Sequence, residues 1–133
     1  MTYLLDTNVC IDYLRGRAVG VRKHLESLLP GDIVLCSIVK AELFHGAMRS
    51  SNPPMALASQ QPFISQFASL PFDDSVAEQY GQLRAALEKQ GALIGPNGLL
   101  IASIAIANNV ILVTHNQDEF NRGPGLQLED WQA

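Results

Sequence analysis

Three side chains in this sequence have the chemistry and the placement to bind a hard metal ion. Asp6 and Asn116 each follow a short apolar run that predicts a buried strand, and Glu42 interrupts an apolar helical stretch. The carboxyl ends of parallel strands share one edge of an open α/β sheet, where ligands commonly bind. Oxygen ligands of this kind suit Mg²⁺ or Mn²⁺. An ion held there can deprotonate a water and stabilise charge on a phosphoryl oxygen, which is the chemistry of a metal-dependent nuclease.

Two of these residues also have a purely structural interpretation, which the residues alone leave open. Asp6 begins an Asp-Thr-Asn turn, so its carboxylate could serve only to cap the helix that follows. Glu42 could face solvent, as charged residues on helices usually do. The metal-site interpretation requires Glu42 to point back over the sheet edge toward Asp6.

The elements that must position these residues alternate between strands and helices. Short apolar runs predict strands at 2–6, 33–36 and 110–113, and residues 70–72 read as an edge strand because Pro71 cannot donate to a neighbour. Helices are predicted at 9–14, 21–29, 38–48, 55–68 and 99–107, with another capped by Asp73 to Ser75 and ended by Gly91. This alternation predicts an α/β fold with a parallel sheet between helices, in one domain that spans residues 1–133.

Composition limits the possible functions of the chain. The 133 residues are 47% hydrophobic and 17% charged, which is typical of a globular protein. The net charge of −4 gives no overall basic footprint for nucleic acid, so local patches, bound cations or a partner must supply positive charge. Cys10 and Cys36 lie in apolar surroundings and are predicted to be buried free thiols. No apolar run approaches a membrane span and no signal peptide is evident, so we expect a soluble, cytoplasmic protein that does not bind membranes.

Five ordered segments carry a resemblance that covers nearly the whole chain. They are Leu-Leu-Asp-Thr-Asn at 4–8, Ser-Ile-Val-Lys-Ala-Glu-Leu-Phe-His-Gly-Ala at 37–47, Ile-Gly-Pro-Asn at 94–97, Leu-Ile-Ala at 100–102, and Val-Thr-His-Asn at 113–116. Together with Glu119-Phe120 they resemble the VapC-type toxins of the PIN-domain ribonuclease family. The resemblance implies a PIN-like three-layer α/β/α fold with a central, mostly parallel sheet.

The same resemblance implies a function and partners. The implied function is that of the toxin component of a type II (VapBC) toxin–antitoxin system, a Mg²⁺- or Mn²⁺-dependent RNA endonuclease that cleaves structured RNA such as tRNA or rRNA. A cognate VapB-type antitoxin would neutralise it, and the toxin would form a homodimer.

The resemblance also implies roles for individual residues. Asp6 and Glu42 match the first two acids of the PIN site, and Asn116 stands where many relatives have a fourth aspartate and others an asparagine. Glu119 matches a further acid that precedes a phenylalanine. We therefore predict Asp6, Glu42, Asn116 and Glu119 as catalytic residues and the first three as metal ligands. The flanking polar residues that would orient the site are Thr7, Asn8 and Thr114.

Position 98 departs from the family pattern. Where VapC proteins typically read Ile-Gly-Pro-x-Asp-Leu-Leu-Ile-Ala, this chain has Gly98 in place of the aspartate. Local structure does not favour glycine, which is poorer than aspartate near a helix start in both propensity and dipole interaction. A site with two carboxylates instead of three attracts a divalent cation less strongly. The chain is therefore expected to be impaired in cleavage, and the alternative is a catalytically inactive PIN-like domain that only binds RNA or its antitoxin.

Overall fold

Five short strands form a parallel sheet in the computed structural model, which describes residues 1–132. The predicted domain ends at residue 133, which lies outside the described residues. The strands lie in the order β3-β2-β1-β4-β5, and each neighbouring pair is parallel. Their bounds are β1 Tyr3–Leu5, β2 Ile33–Cys36, β3 Ala68–Leu70, β4 Ile111–Val113 and β5 Leu128–Glu129.

Helices connect the strands. Those described are α1 Thr7–Leu14, α2 Val19–Ser27, α3 Ser37–Met48, α4 Pro53–Ile64, α5 Asp74–Lys89, α6 Pro96–Ala107 and α7 Gln117–Phe120, with a 3₁₀ turn at Pro30–Asp32. The chain first runs outward from β1 to β3 and then crosses to β4 and β5 on the other side of β1. Since crossover connections are right-handed, this reversal places helices on both faces of the sheet. The predicted three-layer α/β/α fold is confirmed.

The apolar runs of the inner strands are buried because helices cover both faces. Every residue of β2 and β4 is buried, as are Leu4 and Leu5 of β1. A strand covered on both sides loses the alternation of apolar and polar residues, which is why these runs are continuous. None of the helices within residues 1–132 has the length and apolar character needed to span a bilayer.

Several predicted boundaries are wrong. Helices α1 and α2 each begin two residues earlier than predicted, and α4 ends at Ile64 rather than at residue 68. The edge strand is Ala68–Leu70 rather than 70–72, because Pro71 has no N–H and the pairing with β2 ends before it. Helix α6 begins at Pro96, three residues earlier than predicted, since proline is well suited to the first helical position. Gly98 therefore lies inside the first turn of α6 and not in a preceding loop.

The C-terminal segment is attached to the domain through Trp131, whose side chain is 1% exposed. Its ring centroid lies 5.2 Å from that of Tyr3 in β1 and 4.7 Å from that of His24 in α2, which stacks on it. The indole N–H donates to Glu129 Oε1 at 2.9 Å. These contacts hold the segment that follows β5 against the first strand and the second helix.

Substitution of a central strand residue should test how much the sheet contributes to stability. Leu112 of β4 is fully buried, so Leu112→Ala is expected to lower the free energy of unfolding by about 2–5 kcal/mol. Leu93→Ala is the control, since Leu93 is 45% exposed and its loss should cost less than about 1 kcal/mol. Urea unfolding followed by circular dichroism measures both. Equal losses for the two variants would contradict this account of the core.

Candidate active site

Asp6 lies at the seam where the strand order reverses. Its backbone N–H donates to the carbonyl of Val113 at 2.9 Å, so the ends of β1 and β4 are joined beside it. In open α/β sheets the crevice at such a reversal is the usual ligand site. Asp6 is also the N-cap of α1, with an extended backbone (φ −68°, ψ 158°). The capping and site interpretations of Asp6 are thus compatible.

Both carboxylate oxygens of Asp6 accept hydrogen bonds from neighbouring residues. Oδ1 accepts from the backbone N–H of Thr7 at 2.9 Å, and Oδ2 accepts from the hydroxyl of Thr114 at 2.8 Å. Thr7 and Thr114 are buried, as is Asp6 with 8% exposure. Each carboxylate oxygen has a second lone pair, so these bonds orient Asp6 and still leave acceptor capacity.

Glu42 reaches the same place from α3. The hydroxyl of Thr7 donates to Glu42 Oε1, and the amide of Asn97 donates to Oε2 at 3.3 Å. Glu42 therefore points over the sheet edge rather than into open solvent. Thr7 connects the two acids, since its N–H bonds one carboxylate and its hydroxyl bonds the other.

The two acids face one another without a cationic partner. Within residues 1–132, no lysine or arginine nitrogen lies within 4.0 Å of a carboxylate oxygen of Asp6 or Glu42. Burial raises the pKa of Asp6, and the negative charge of Glu42 raises it further. The hydrogen bonds from Thr114 and Thr7 lower the pKa of Asp6, and the electrostatic interaction with His115 lowers it to a lesser extent. A cation placed here would relieve this repulsion.

Asn116 and Glu119 form a second group beside the first. The backbone N–H of Asn116 donates to the Thr114 hydroxyl at 3.0 Å, and its side-chain amide donates to Glu119 Oε2 at 2.8 Å. Glu119 Oε1 accepts from the backbone N–H of Gly95 at 2.9 Å. Glu119 thus joins the start of α7 to the start of α6, where a negative charge is favoured by the helix dipole. Asn8, by contrast, is exposed and makes no side-chain hydrogen bond to the described residues.

Gly98 packs against the ring of Phe120. A Cβ at position 98 would lie 3.2 Å from Phe120 Cζ and 3.6 Å from Glu119 Oε1. The ring, which is 3% exposed, would have to move by a few tenths of an ångström to admit a side chain. In the described part of the chain, no group of three or more His, Cys, Asp or Glu side chains is placed to hold a metal ion together. The third acid is missing in space as well as in sequence.

The remaining donor set still fits one divalent ion. Mg²⁺ commonly binds through one or two carboxylates and keeps several waters or substrate phosphates as its other ligands. Asp6 and Glu42 supply two carboxylates that lack a cationic partner. The amide oxygen of Asn116 is a further candidate, although its amide nitrogen is held by Glu119.

Several contacts of the site could not be read from the sequence. Asn97 bonds Glu42 across 55 residues of sequence, and no local pattern signals such a pair. His115, which follows β4, lies between two other acids: Nε2 is 3.4 Å from Asp12 Oδ2, and Nδ1 is 3.0 Å from Asp130 Oδ1. Glu42 also lines a groove of about 330 Å³ between α1, α3 and α4.

Known proteins resemble this chain along nearly its whole length. Residues 3–126 match the PIN domain family. Ribonuclease VapC2 of Rickettsia felis is 40% identical over 132 residues, which cover 98% of each chain, and the tRNA(fMet)-specific endonuclease VapC of Shigella flexneri is 37% identical over 131 residues with the same coverage. A crystal structure of VapBC2 from R. felis bound to a DNA fragment from their promoter superposes with a TM-score of 0.92 at 39% identity, covering 98% of this chain and 99% of the other.

The chain belongs to the PIN-domain family and, within it, to the VapC-type proteins. PIN-domain ribonucleases generally use divalent metal ions. The pair of acids at the β1/β4 seam lies where such an ion is expected in an open α/β fold.

The raised pKa of Asp6 predicts how stability depends on pH in the absence of metal. The folded protein binds this proton more tightly than the unfolded chain, so the contribution of Asp6 to stability falls as pH rises through its two pKa values. Asp6→Asn should therefore gain stability relative to the parent as pH rises above about 4, the ordinary pKa of an aspartate. Thermal unfolding in EDTA at pH values on both sides of about 4 measures the difference.

Asp73 provides a control of opposite sign. Its carboxylate caps α5 by accepting from the Val76 N–H at 3.1 Å, and this bond holds its pKa below the usual range. Asp73→Asn should therefore lose stability relative to the parent as pH rises toward about 4, and the difference should stay constant above that pH. The account of Asp6 is wrong if the two variants follow the same trend with pH.

Proposed function

We propose that this chain is the toxin of a type II VapBC toxin–antitoxin system and a divalent-metal-dependent RNA endonuclease of reduced activity. The observation that carries the proposal is the Asp6–Thr7–Glu42 network at the β1/β4 seam of a VapC-type fold. The names of its relatives, a ribonuclease and a tRNA-specific endonuclease, support the reaction class.

The metal is Mg²⁺ or Mn²⁺, held by Asp6 and Glu42, with Asn116 as a third oxygen ligand after its side chain turns from Glu119. A bound divalent ion would lower the pKa of a water and stabilise negative charge on a phosphoryl oxygen. The predicted catalytic residues Asp6, Glu42, Asn116 and Glu119 gather around this position.

The other residues of the chain orient these ligands. Thr114 and the Thr7 N–H fix the two oxygens of Asp6, so its carboxylate needs little reorganisation to bind a cation. The Thr7 hydroxyl holds Glu42 close to Asp6. Glu119 holds Asn116 and the start of α6 in register, which makes it a positioning residue in addition to a possible contact of the hydrated ion.

The substrate is structured RNA, with tRNA or rRNA as the candidates. The reaction is hydrolysis of a phosphodiester by an activated water at the sheet edge. The Shigella flexneri relative is named for cleavage of tRNA(fMet), which favours tRNA as the first substrate to assay.

The partner is a VapB-type antitoxin, and the toxin itself forms a homodimer. The R. felis relative is described in complex as VapBC2. Asp6 is buried and Glu42 partly buried, and within residues 1–132 neither has a lysine or arginine nitrogen within 4.0 Å. Such a pair suits an antitoxin arginine or lysine, because a charge-assisted bond would satisfy the free carboxylate oxygens. An antitoxin bound in this way would exclude both metal and RNA.

A second candidate function follows from Gly98. The Phe120 ring occupies space beside Gly98, and within residues 1–132 no third acid joins Asp6 and Glu42 in a metal-binding group. A protein with this site could bind RNA or an antitoxin without cutting. The chain would then act by sequestering its ligand.

Restoring the acid at position 98 distinguishes the two functions. Gly98→Asp should raise the rate of tRNA cleavage in Mg²⁺ by about 10–100-fold, the usual effect of one metal-site partner. Gly98→Asn is the matched control, because it displaces Phe120 to the same extent but adds no charge. Equal cleavage by all three proteins means that position 98 does not limit activity. If the parent does not cleave, whether or not Gly98→Asp does, the binding-only function is the correct one for this chain.

Removing Glu42 tests the metal site without relying on activity. Glu42→Gln should weaken Mn²⁺ binding by about 10–100-fold, since one of two anionic ligands becomes neutral while its shape is retained. Electron paramagnetic resonance of free Mn²⁺ measures the affinity directly. Glu88→Gln serves as control, because Glu88 lies exposed on α5 and pairs with Arg84. Unchanged affinity in Glu42→Gln would remove Glu42 from the site.

A further inference from the structure

Positive charge in this acidic protein is concentrated in one short segment. The chain has nine lysine and arginine residues and a net charge of −4. Four of the nine fall between residues 15 and 23, namely Arg15, Arg17, Arg22 and Lys23. This segment is the turn between α1 and α2 together with the first turns of α2. The remaining five cations are scattered between residues 40 and 122.

The fold brings three of these arginines together. Arg15 caps the C-terminal end of α1 and Arg17 lies in the turn, and both are exposed. Arg22 reaches back from α2, so that its Nη2 lies 3.9 Å from where a Cβ on Gly16 would be. Gly16 has φ +69°, a conformation that favours glycine and makes the tight turn possible. We call Arg15, Arg17 and Arg22 the arginine cluster.

The arginine cluster is not neutralised by the protein. Among residues 1–132, none of its guanidinium groups lies within 4.0 Å of a carboxylate oxygen. The acids nearest in sequence are Asp12, which pairs with His115, and the exposed Glu26. Like charges held together on a surface without counter-charges form a site for an anion.

One member of the arginine cluster, Arg15, lies along a groove that also reaches the acidic site at Glu42. Arg15 and Glu42 line the same groove of about 330 Å³. Helix α1 begins beside Asp6 and ends before Arg15, and its eight residues span about 12 Å. An RNA strand or an extended peptide that enters at the seam and follows α1 would therefore reach Asp6 first. It would reach the arginines about 12 Å further along.

We propose that the arginine cluster binds the phosphates of the RNA that flank the scissile bond. The inference rests on the proposed function, because it assigns this surface to the same substrate. Guanidinium groups pair with phosphates through two parallel hydrogen bonds, and repeated phosphates match a row of arginines.

The test compares two pairs of substitutions that change the net charge equally. Arg15→Gln/Arg22→Gln removes two charges from the arginine cluster, and Arg84→Gln/Lys89→Gln removes two from α5. Binding of a fluorescent 12-nucleotide single-stranded RNA (about the length a site of this size needs) is measured by anisotropy in EDTA at several salt concentrations. Thermal unfolding of each variant checks that it is folded.

The cluster variant should bind this RNA about fivefold more weakly, as expected for two exposed charge pairs. The slope of log K against log salt should decrease in magnitude by about 1.4, the value for two phosphate contacts to a single strand. The α5 variant should match the parent in both quantities. Equal binding by the two variants, or an unchanged slope, would overturn the proposal.

Further outcomes separate this inference from the proposed function. If the parent binds RNA through the arginines but does not cut tRNA in Mg²⁺, the inference holds and the endonuclease function fails. If the parent cuts tRNA while the cluster variant cuts and binds like the parent, the function holds and the inference fails. If the parent binds no RNA, or if the cluster variant loses affinity for a purified VapB-type partner but not for RNA, the surface is not an RNA site.

Discussion

The structure depends on one buried carboxylate, that of Asp6, held between two parallel strands. The backbone bond from Asp6 to Val113 joins β1 to β4, and the Thr114 hydroxyl reaches back to the Asp6 side chain from the end of β4. The strand order reverses at this pair, so the following helices diverge and leave a crevice. The same side chain caps α1, which begins with Thr7 and so positions the hydroxyl that bonds Glu42. Asp6 therefore takes part in the pairing of β1 with β4, in the start of α1 and in the network that joins the two acids.

This arrangement makes the free protein less stable than it could be. Burial disfavours the charged form of Asp6, and Glu42 adds like-charge repulsion. The surrounding core, with Leu4, Leu5 and Leu112 fully buried, supplies the stability that tolerates this cost. Functional sites commonly retain such local strain when a ligand relieves it. A divalent ion or an antitoxin cation at the seam would do so, which links ligand binding to stability through the same two carboxylates.

The sequence predicted those parts of the fold that depend on local pattern. The continuous apolar run at 33–36 matches β2 residue for residue, and Asp73 caps α5 as expected. The edge strand β3 was misplaced by two residues, because three partly exposed residues on an edge carry no periodic signal and Pro71 dominated the interpretation. The site's identity came from a family resemblance, but its internal bonds did not. Thr7 and Asn97 each bond Glu42 across long stretches of chain, and only the packing of α1, α3 and α6 brings them together.

Gly98 affects packing as well as metal binding. Because glycine has no side chain, the ring of Phe120 can pack against α6 at this position. An aspartate there would add negative charge near Asp6 and Glu42 and would also displace a buried ring. The present chain therefore combines weaker attraction for a cation with less repulsion among its acids and closer packing of α7 on α6. RNA binding through the arginine cluster involves neither position 98 nor Phe120, since those arginines lie at the far end of α1. Loss of the third acid would thus reduce cleavage while leaving affinity for RNA largely intact, so binding and cleavage are separable properties of this fold.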